Sequence, residues 1–191
     1  MKISRKQLSL RDAADKAPST SSRPSLRLDE WLPYQCFLPA QHTARLLGEF
    51  YGPRFGISQN AWRILATIAD RPGANARQIC VVLGMDAVSV SRGIAQLVET
   101  GFAQRDAAEN DRRYASVTVT PRGRVAFDEI ATVGLEIEKR MLATLTDPQR
   151  AVLRDALLAI GRESERMANS GWQRLLFDAA DKDEQTSPED A

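Results

Sequence analysis

Apolar residues recur at spacings of three and four along most of the chain, and they switch to strict alternation in one short region. From Asp29 to Tyr51, Leu32, Cys36, Ala40, Ala44, Leu47 and Tyr51 fall on one face of a helix. Pro39 lies inside this run, and a proline there removes a hydrogen bond and crowds the preceding turn at a cost of about 3 kcal/mol, which predicts a kink or a break. The glycines and proline of YGPRFGIS predict a loop over 51–58. Ser58 is placed to cap a second helix, with Trp62, Leu65, Ile68 and Ala69 as its buried stripe, until RPGAN ends it. Asn75 followed three residues later by Gln78 has the form of a capping box, opening a short helix with Ile79, Val82 and Leu83 inward and Gly84 as its stop. Asp86 caps the next helix. Its inward face is Val90, Ile94, Leu97 and Val98, while Val88, Ser89, Arg92 and Gln96 project from the other side.

After Gly101 the period changes. Residues 102–106 and 115–120 read as two strands, the second alternating Val117 and Val119 with Ser116, Thr118 and Thr120, and the polar AAENDRR between them makes a hairpin loop. Thr120 before Pro121 pairs an N-cap with a proline at the first helical position. The long helix that follows carries Ala126, Ile130, Val133, Ile137, Met141 and Leu145 on one stripe. Thr146, Pro148 and Gln149 repeat the start signal, and Val152, Leu153, Ala156, Leu157 and Ile160 continue the pattern. A last cluster, Trp172, Leu175, Leu176 and Phe177, is expected to pack back onto the fold.

Composition narrows the class without fixing the chemistry. The 191 residues are 43% hydrophobic and 27% charged, and no apolar run approaches the roughly 18 residues of a membrane span, so a cytoplasmic protein without membrane contact is expected. The formal net charge of +1 hides a gradient: residues 1–28 hold seven Lys/Arg against two Asp/Glu, and residues 178–191 one Lys against six Asp/Glu. Both ends read as solvated tails, so any affinity for nucleic acid must come from placed arginines in a nearly neutral body. Cys36 and Cys80 stand too far apart to suggest a disulfide framework or a zinc site; both read as core thiols, and no metal or cofactor is expected. One histidine without a clustered acid or thiol offers no catalytic constellation, so the chain reads as a non-enzyme.

The order of elements has a direct physical use. A short helix, a tight turn, a second helix with a polar outer face and then a hairpin is the order of a winged helix-turn-helix, whose second helix fits a B-DNA major groove while the first, opened here by Asn75 and Gln78, braces it and meets phosphates. Ser89 and Ser91 are candidate donors to phosphates or bases, Arg92 can reach phosphate or guanine, and the hairpin-tip residues Arg112 and Arg113 suit the neighbouring minor groove or backbone. LGMDAVSVSRGIAQLVETGF and RDAAENDRRYASVTVTPRG resemble the corresponding segments of the MarR family of bacterial transcriptional regulators. The likeness runs from about Asp29 to Met167. The resemblance implies that Asp86, Ser89, Ser91 and Arg92 match the recognition-helix pattern, and that Asp111 and Arg113 are the wing's D-x-R, the arginine reaching the minor groove and the aspartate bracing it. Val88 departs from the family, where this place is usually polar, and would offer a thymine methyl an apolar contact.

The expected fold is therefore mainly α with a small β-hairpin wing. A basic tail at 1–28 precedes a winged helix domain at 29–168, with a DNA-binding lobe about 58–120 between dimerisation helices 29–51 and 121–168, and an acidic extension fills 169–191. The resemblance implies a homodimeric repressor on an inverted-repeat operator, released by a small molecule such as an aromatic or phenolic carboxylate. Tyr34, Cys36, His42 and Arg45 of the first helix, with Trp62 of the second, are the candidate effector residues, because an arginine beside aromatic surface can hold an anion and a ring. Two alternatives stand beside this reading. One is a thiol-based organic hydroperoxide sensor using Cys36, suggested by PYQCFL; the other is a winged helix used only for protein contacts.

Overall fold

Capped apolar stripes become helices throughout residues 26–106 and 115–174, the residues described by the computed structural model. In chain order the elements are α1 (Leu32–Phe55), α2 (Gln59–Asp70), α3 (Ala76–Leu83), α4 (Ala87–Glu99), β1 (Ala103–Asp106), β2 (Ser116–Val119), α5 (Pro121–Leu142) and α6 (Asp147–Ser170). The fold is mainly helical with one antiparallel hairpin, paired from Ala103 opposite Val119 to Asp106 opposite Ser116. The chain divides into two compact units, Met1–Glu49 and Phe50–Ala191, so α1 contributes residues to both.

In the first unit a turn at 27–31 leads into α1, and the Gln35 side chain donates to the Asp29 carbonyl at 2.8 Å. Of the kink or break expected at Pro39, the break is corrected: α1 continues through it. Pro39 and Gln35 both lie on exposed positions, where water can serve a carbonyl that has lost its partner, and the Thr43 hydroxyl donates to the carbonyls of Pro39 and Ala40 at 2.9 and 3.0 Å. The predicted stripe is only partly covered. Ala44 and Leu47 are half-buried, whereas Leu32, Cys36 and Ala40 are exposed, as are Trp31, Phe37 and Leu46 off that stripe.

In the second unit the loop predicted at 51–58 is shorter than expected, because α1 holds Tyr51 to Phe55 and only 56–58 connect it to α2. Burial overrides the local preference of Gly52 and Pro53: Tyr51 is buried against Trp62, and Phe55 meets Phe102 edge-on. Gly56, at φ +66, then ends the helix. Ser58 caps α2, Asn75 and Gln78 form the capping box of α3, and Gly84 closes α3 in the left-handed conformation.

The core gathers Ile64, Leu65 and Ile68 of α2, Ile79 of α3, Val90, Ile94 and Leu97 of α4, Val117 of β2 and Ile130 of α5, all sealed from solvent. Gly93 lets α4 approach α2 closely, since a methyl there would meet the Ile64 side chain and the Ala61 backbone. Several expected inward positions are corrected. Val82 and Val98 are exposed, Cys80 is half-buried rather than core, and Trp172 is 66% exposed instead of packing back; Leu175, Leu176 and Phe177 lie outside the described residues. On α6 no residue is buried, and Val152, Leu153, Leu157 and Ile160 all face solvent in the single chain.

Candidate nucleic-acid interface

The exposed side of α4 is built by what holds its other sides. Asp86, at the N-cap, accepts the Ser89 amide at 2.8 Å through one carboxylate oxygen and the Ser89 hydroxyl at 2.7 Å through the other. The Ser89 side-chain bond, and after it the Ser89 backbone bond, holds the Asp86 carboxyl below its ordinary range and keeps it ionised at the positive end of the helix dipole. Ser89 is half-buried, and with no DNA present its hydroxyl donates to Asp86 and keeps its acceptor capacity free.

The expectation for Gln96 is corrected. Instead of projecting outward it is half-buried and accepts from the Ser58 amide and hydroxyl at 3.1 and 2.7 Å, while its NH2 donates to the Gly56 carbonyl at 3.1 Å. These bonds tie α4 to the connection that opens α2. What faces outward is Val88, 60% exposed, with Ser91, Arg92 and Ala95, one stripe at spacings of three and four. Arg92 lines an open groove of about 490 Å³ shared with Asn60, Ser89 and Glu99.

Asn75 and Gln78 sit where α3 begins, and both carbonyl oxygens are engaged with backbone amides, Gln78 N to Asn75 at 2.9 Å and Asn75 N to Gln78 at 2.9 Å. The base of the hairpin is fixed to the same corner: the Val117 amide donates to Ala74 O at 3.0 Å, and Asn75 bridges Ser116. Sequence reasoning passed over exposed arginines nearby. Arg71 and Arg77 line a groove of about 550 Å³ with Pro72, Val81 and Val82, and Arg105 is exposed on β1. Arginines before and within a short capped helix were the available signal. Arg63, by contrast, spends a guanidinium N–H on the Leu83 carbonyl at 3.0 Å. Asp111, Arg112 and Arg113 lie outside the described residues.

The candidate effector residues divide between the units. Tyr34 is half-buried beside Phe37, with ring centroids 6.0 Å apart, and Cys36, His42 and Arg45 are exposed on the same helix, so the reading of Cys36 as a core thiol is corrected. Trp62 belongs to the second unit, stacked between Tyr51 at 6.0 Å and Phe127 at 5.8 Å. Among the described residues no group of acidic, histidine and cysteine side chains is placed to hold a metal ion, and no single helix is long and apolar enough to cross a membrane.

The MarR family profile matches residues 55–113, from the end of α1 through α4 and β1. The protein assigned as transcriptional regulatory protein for the hcr operon of Thauera aromatica is 30% identical over 115 residues, which are 60% of this chain and 69% of that one. The chain belongs to the MarR family. The fold agrees: a MarR/EmrR family transcriptional regulator from Acinetobacter sp. ADP1 superposes with a TM-score of 0.66 at 21% identity, covering 74% of this chain and all of that one. A cysteine-to-serine mutant of MarR from E. coli, solved in complex with operator DNA, superposes with a TM-score of 0.60 at 24% identity over 71% of this chain and 99% of that one. As a MarR-family member the chain is a DNA-binding transcriptional regulator and not an enzyme.

Proposed function

We propose that the chain is a homodimeric repressor that reads an inverted-repeat operator through α4 and is released by a small aromatic or phenolic carboxylate. The observation that carries the DNA-reading part is the exposed Val88, Ser91, Arg92 stripe on a helix pinned at its N-cap by Asp86 and on its flank by Gln96. A rigid helix with a short donor, a guanidinium and an apolar patch on its open side is equipped to meet phosphate, guanine and thymine methyl groups. Asn75, Gln78, Arg71 and Arg77 sit at the brace, where phosphate contacts set register, and Asp111, Arg112 and Arg113 are assigned to the wing.

The decisive experiment is binding to the protein's own upstream DNA across a salt series. A regulator of this design loses affinity along a straight line in log salt, with a slope that falls by about one when a phosphate-contacting arginine is removed. Arg92→Ala and Arg113→Ala are each expected to weaken binding at least tenfold without changing thermal unfolding. Salt-insensitive or absent binding would favour a protein-interaction module instead.

Tyr34, Cys36, His42, Arg45 and Trp62 stand as the first residues to test with aromatic acids, since an arginine beside aromatic surface can hold an anion and a ring. One observation favours a second reading. Cys36 is exposed, and an accessible thiol can be oxidised by an organic hydroperoxide. Under that reading, hydroperoxide releases the wild type from DNA and leaves Cys36→Ser bound.

A further inference from the structure

The groove of about 550 Å³ at the corner of α2 and α3 joins positive charge to apolar surface, with Arg71 and Arg77 lining it beside Pro72, Val81 and Val82. Both arginines are exposed, and Val81 is 71% exposed. Arg77 is the second residue of α3, whose first turn holds no acidic residue, so the positive end of the helix dipole adds to its charge. Arg71 has Asp70 for a neighbour, at 3.6 Å with both side chains largely in solvent, a pairing too weak to neutralise it. Elsewhere on the second unit the arginines are better balanced: Arg92 shares its groove with Glu99, and Arg54 is bound to Glu129 at 2.6 Å.

The chain carries its own complement to this surface. Residues 178–191 hold Asp178, Asp181, Asp183, Glu184, Glu189 and Asp190 against Lys182, and they belong to the same compact unit as the groove. The acidic stretch starts four residues after Arg174, where the described residues stop. From Arg174 to Asp190 a chain spans at most about 55 Å, well beyond the roughly 36 Å length of α6 itself. A stretch tethered at that range meets the groove at an effective concentration on the order of millimolar, so a weak site is enough to hold it.

We propose that this groove is the docking site of the acidic stretch 178–191, its carboxylates on Arg71 and Arg77 and its Ala179 and Ala180 against Val81 and Val82. The proposal rests on the reading of Arg71 and Arg77 as phosphate contacts at the brace, and it makes the stretch an internal competitor of DNA. Every duplex must displace the stretch before α3 can settle on the phosphate backbone, so operator and unrelated DNA are weakened by the same factor. Ions screen the contact between stretch and groove, so the competition fades as salt rises.

Asp178→Asn, Asp181→Asn, Asp183→Asn, Glu184→Gln, Glu189→Gln and Asp190→Asn, introduced together into the full chain, neutralise the stretch without shortening it. The neutralised chain is expected to bind the protein's own upstream DNA and an unrelated duplex about fivefold tighter than the wild type at about 50 mM salt, with the advantage gone near about 500 mM. Amide NMR signals of the two chains are expected to differ at residues 71–82. With Arg71→Gln and Arg77→Gln already in place, neutralising the stretch is expected to add nothing, thermal unfolding showing that these chains remain folded. Unchanged affinity with unchanged signals at 71–82 overturns the proposal, while salt-dependent binding by the wild type still upholds DNA reading. A gain that persists in the Arg71→Gln, Arg77→Gln chain marks general repulsion between the stretch and DNA. A gain lost only when the Lys and Arg residues of 1–28 are replaced by Gln places the stretch on the basic end of the chain, and either result overturns the groove. Changed signals at 71–82 with unchanged DNA affinity keep the docking site and overturn the assignment of Arg71 and Arg77 to phosphate.

Discussion

Asp86 orders the first turn of α4. Its two oxygens satisfy the Ser89 amide and hydroxyl, and those bonds keep its carboxyl acidic. A carboxyl whose folded value is depressed contributes stability above its ordinary value, and that contribution is lost as pH falls through the folded value. Urea unfolding of the wild type across the acid range is therefore expected to lose stability more steeply than Asp86→Asn, which caps a helix without titrating; parallel profiles would remove Asp86 from the acid response. Gln96 is expected to act through position. Gln96→Ala gives up three hydrogen bonds worth roughly 0.5–1.5 kcal/mol each, so a stability loss of about 1.5–4.5 kcal/mol with an unchanged ranking of operator variants is expected. A relaxed preference at one base with unchanged stability would instead place Gln96 on DNA. Thr118 carries an imbalance of the opposite kind, because its hydroxyl is buried with no hydrogen-bond partner among the described residues. Thr118→Val keeps the shape and deletes the unmet group, and is expected to raise stability by about 1 kcal/mol in the same unfolding assay.

Elements with a local start signal were legible in the sequence, and positions decided by tertiary contact were not. Ser58, Asn75 with Gln78, Asp86 and Thr120 before Pro121 each announce a helix that the structure contains, because a cap is satisfied by atoms three residues away. Helical period alone gave no sign that Gln96 turns inward or that Tyr51 to Phe55 stay helical, since those outcomes depend on Gly56, Trp62 and Phe102, distant in the chain. The junction of hairpin and α5 combines both kinds of information. Thr120 caps α5 by accepting the Gly123 amide at 3.0 Å and donates its own hydroxyl to Gly101 O at 2.7 Å. Gly123 is required for that approach: a methyl there would overlap the Phe102 carbonyl, lying 2.7 Å from its carbon. Although alanine favours helices, Gly123→Ala is expected to destabilise by about 1–3 kcal/mol through this overlap. A Tm at or above that of the wild type would show that the junction yields.

At the scale of the whole molecule, α6 presents the largest unmet demand. It spans 24 residues with none buried, while Leu153, Leu157, Leu158 and Ile160 are between 38% and 56% exposed. A helix of that length with an apolar stripe draws most of its stability from a surface that covers the stripe. In the proposed homodimer a second copy of the chain would supply one by symmetry, and would also set two α4 helices on one duplex, about 34 Å apart for successive major grooves. Joining two reading heads makes the second engagement intramolecular, so disrupting the pair costs affinity far beyond any single DNA contact. Leu157→Glu introduces a charge where the single chain is already open, leaving the subunit core at Ile64, Ile94 and Ile130 untouched. Sedimentation is expected to show this variant as a single chain at concentrations where the wild type is paired, and operator affinity is expected to fall at least a hundredfold. Arg162→Glu reverses a charge on the opposite side of α6 by helical spacing, and is expected to remain paired and to bind the operator like the wild type. If Leu157→Glu stays paired with full operator affinity, the α6 stripe is not the dimer seam, and the exposed Trp31, Phe37 and Leu46 of the first unit become the surface to substitute next.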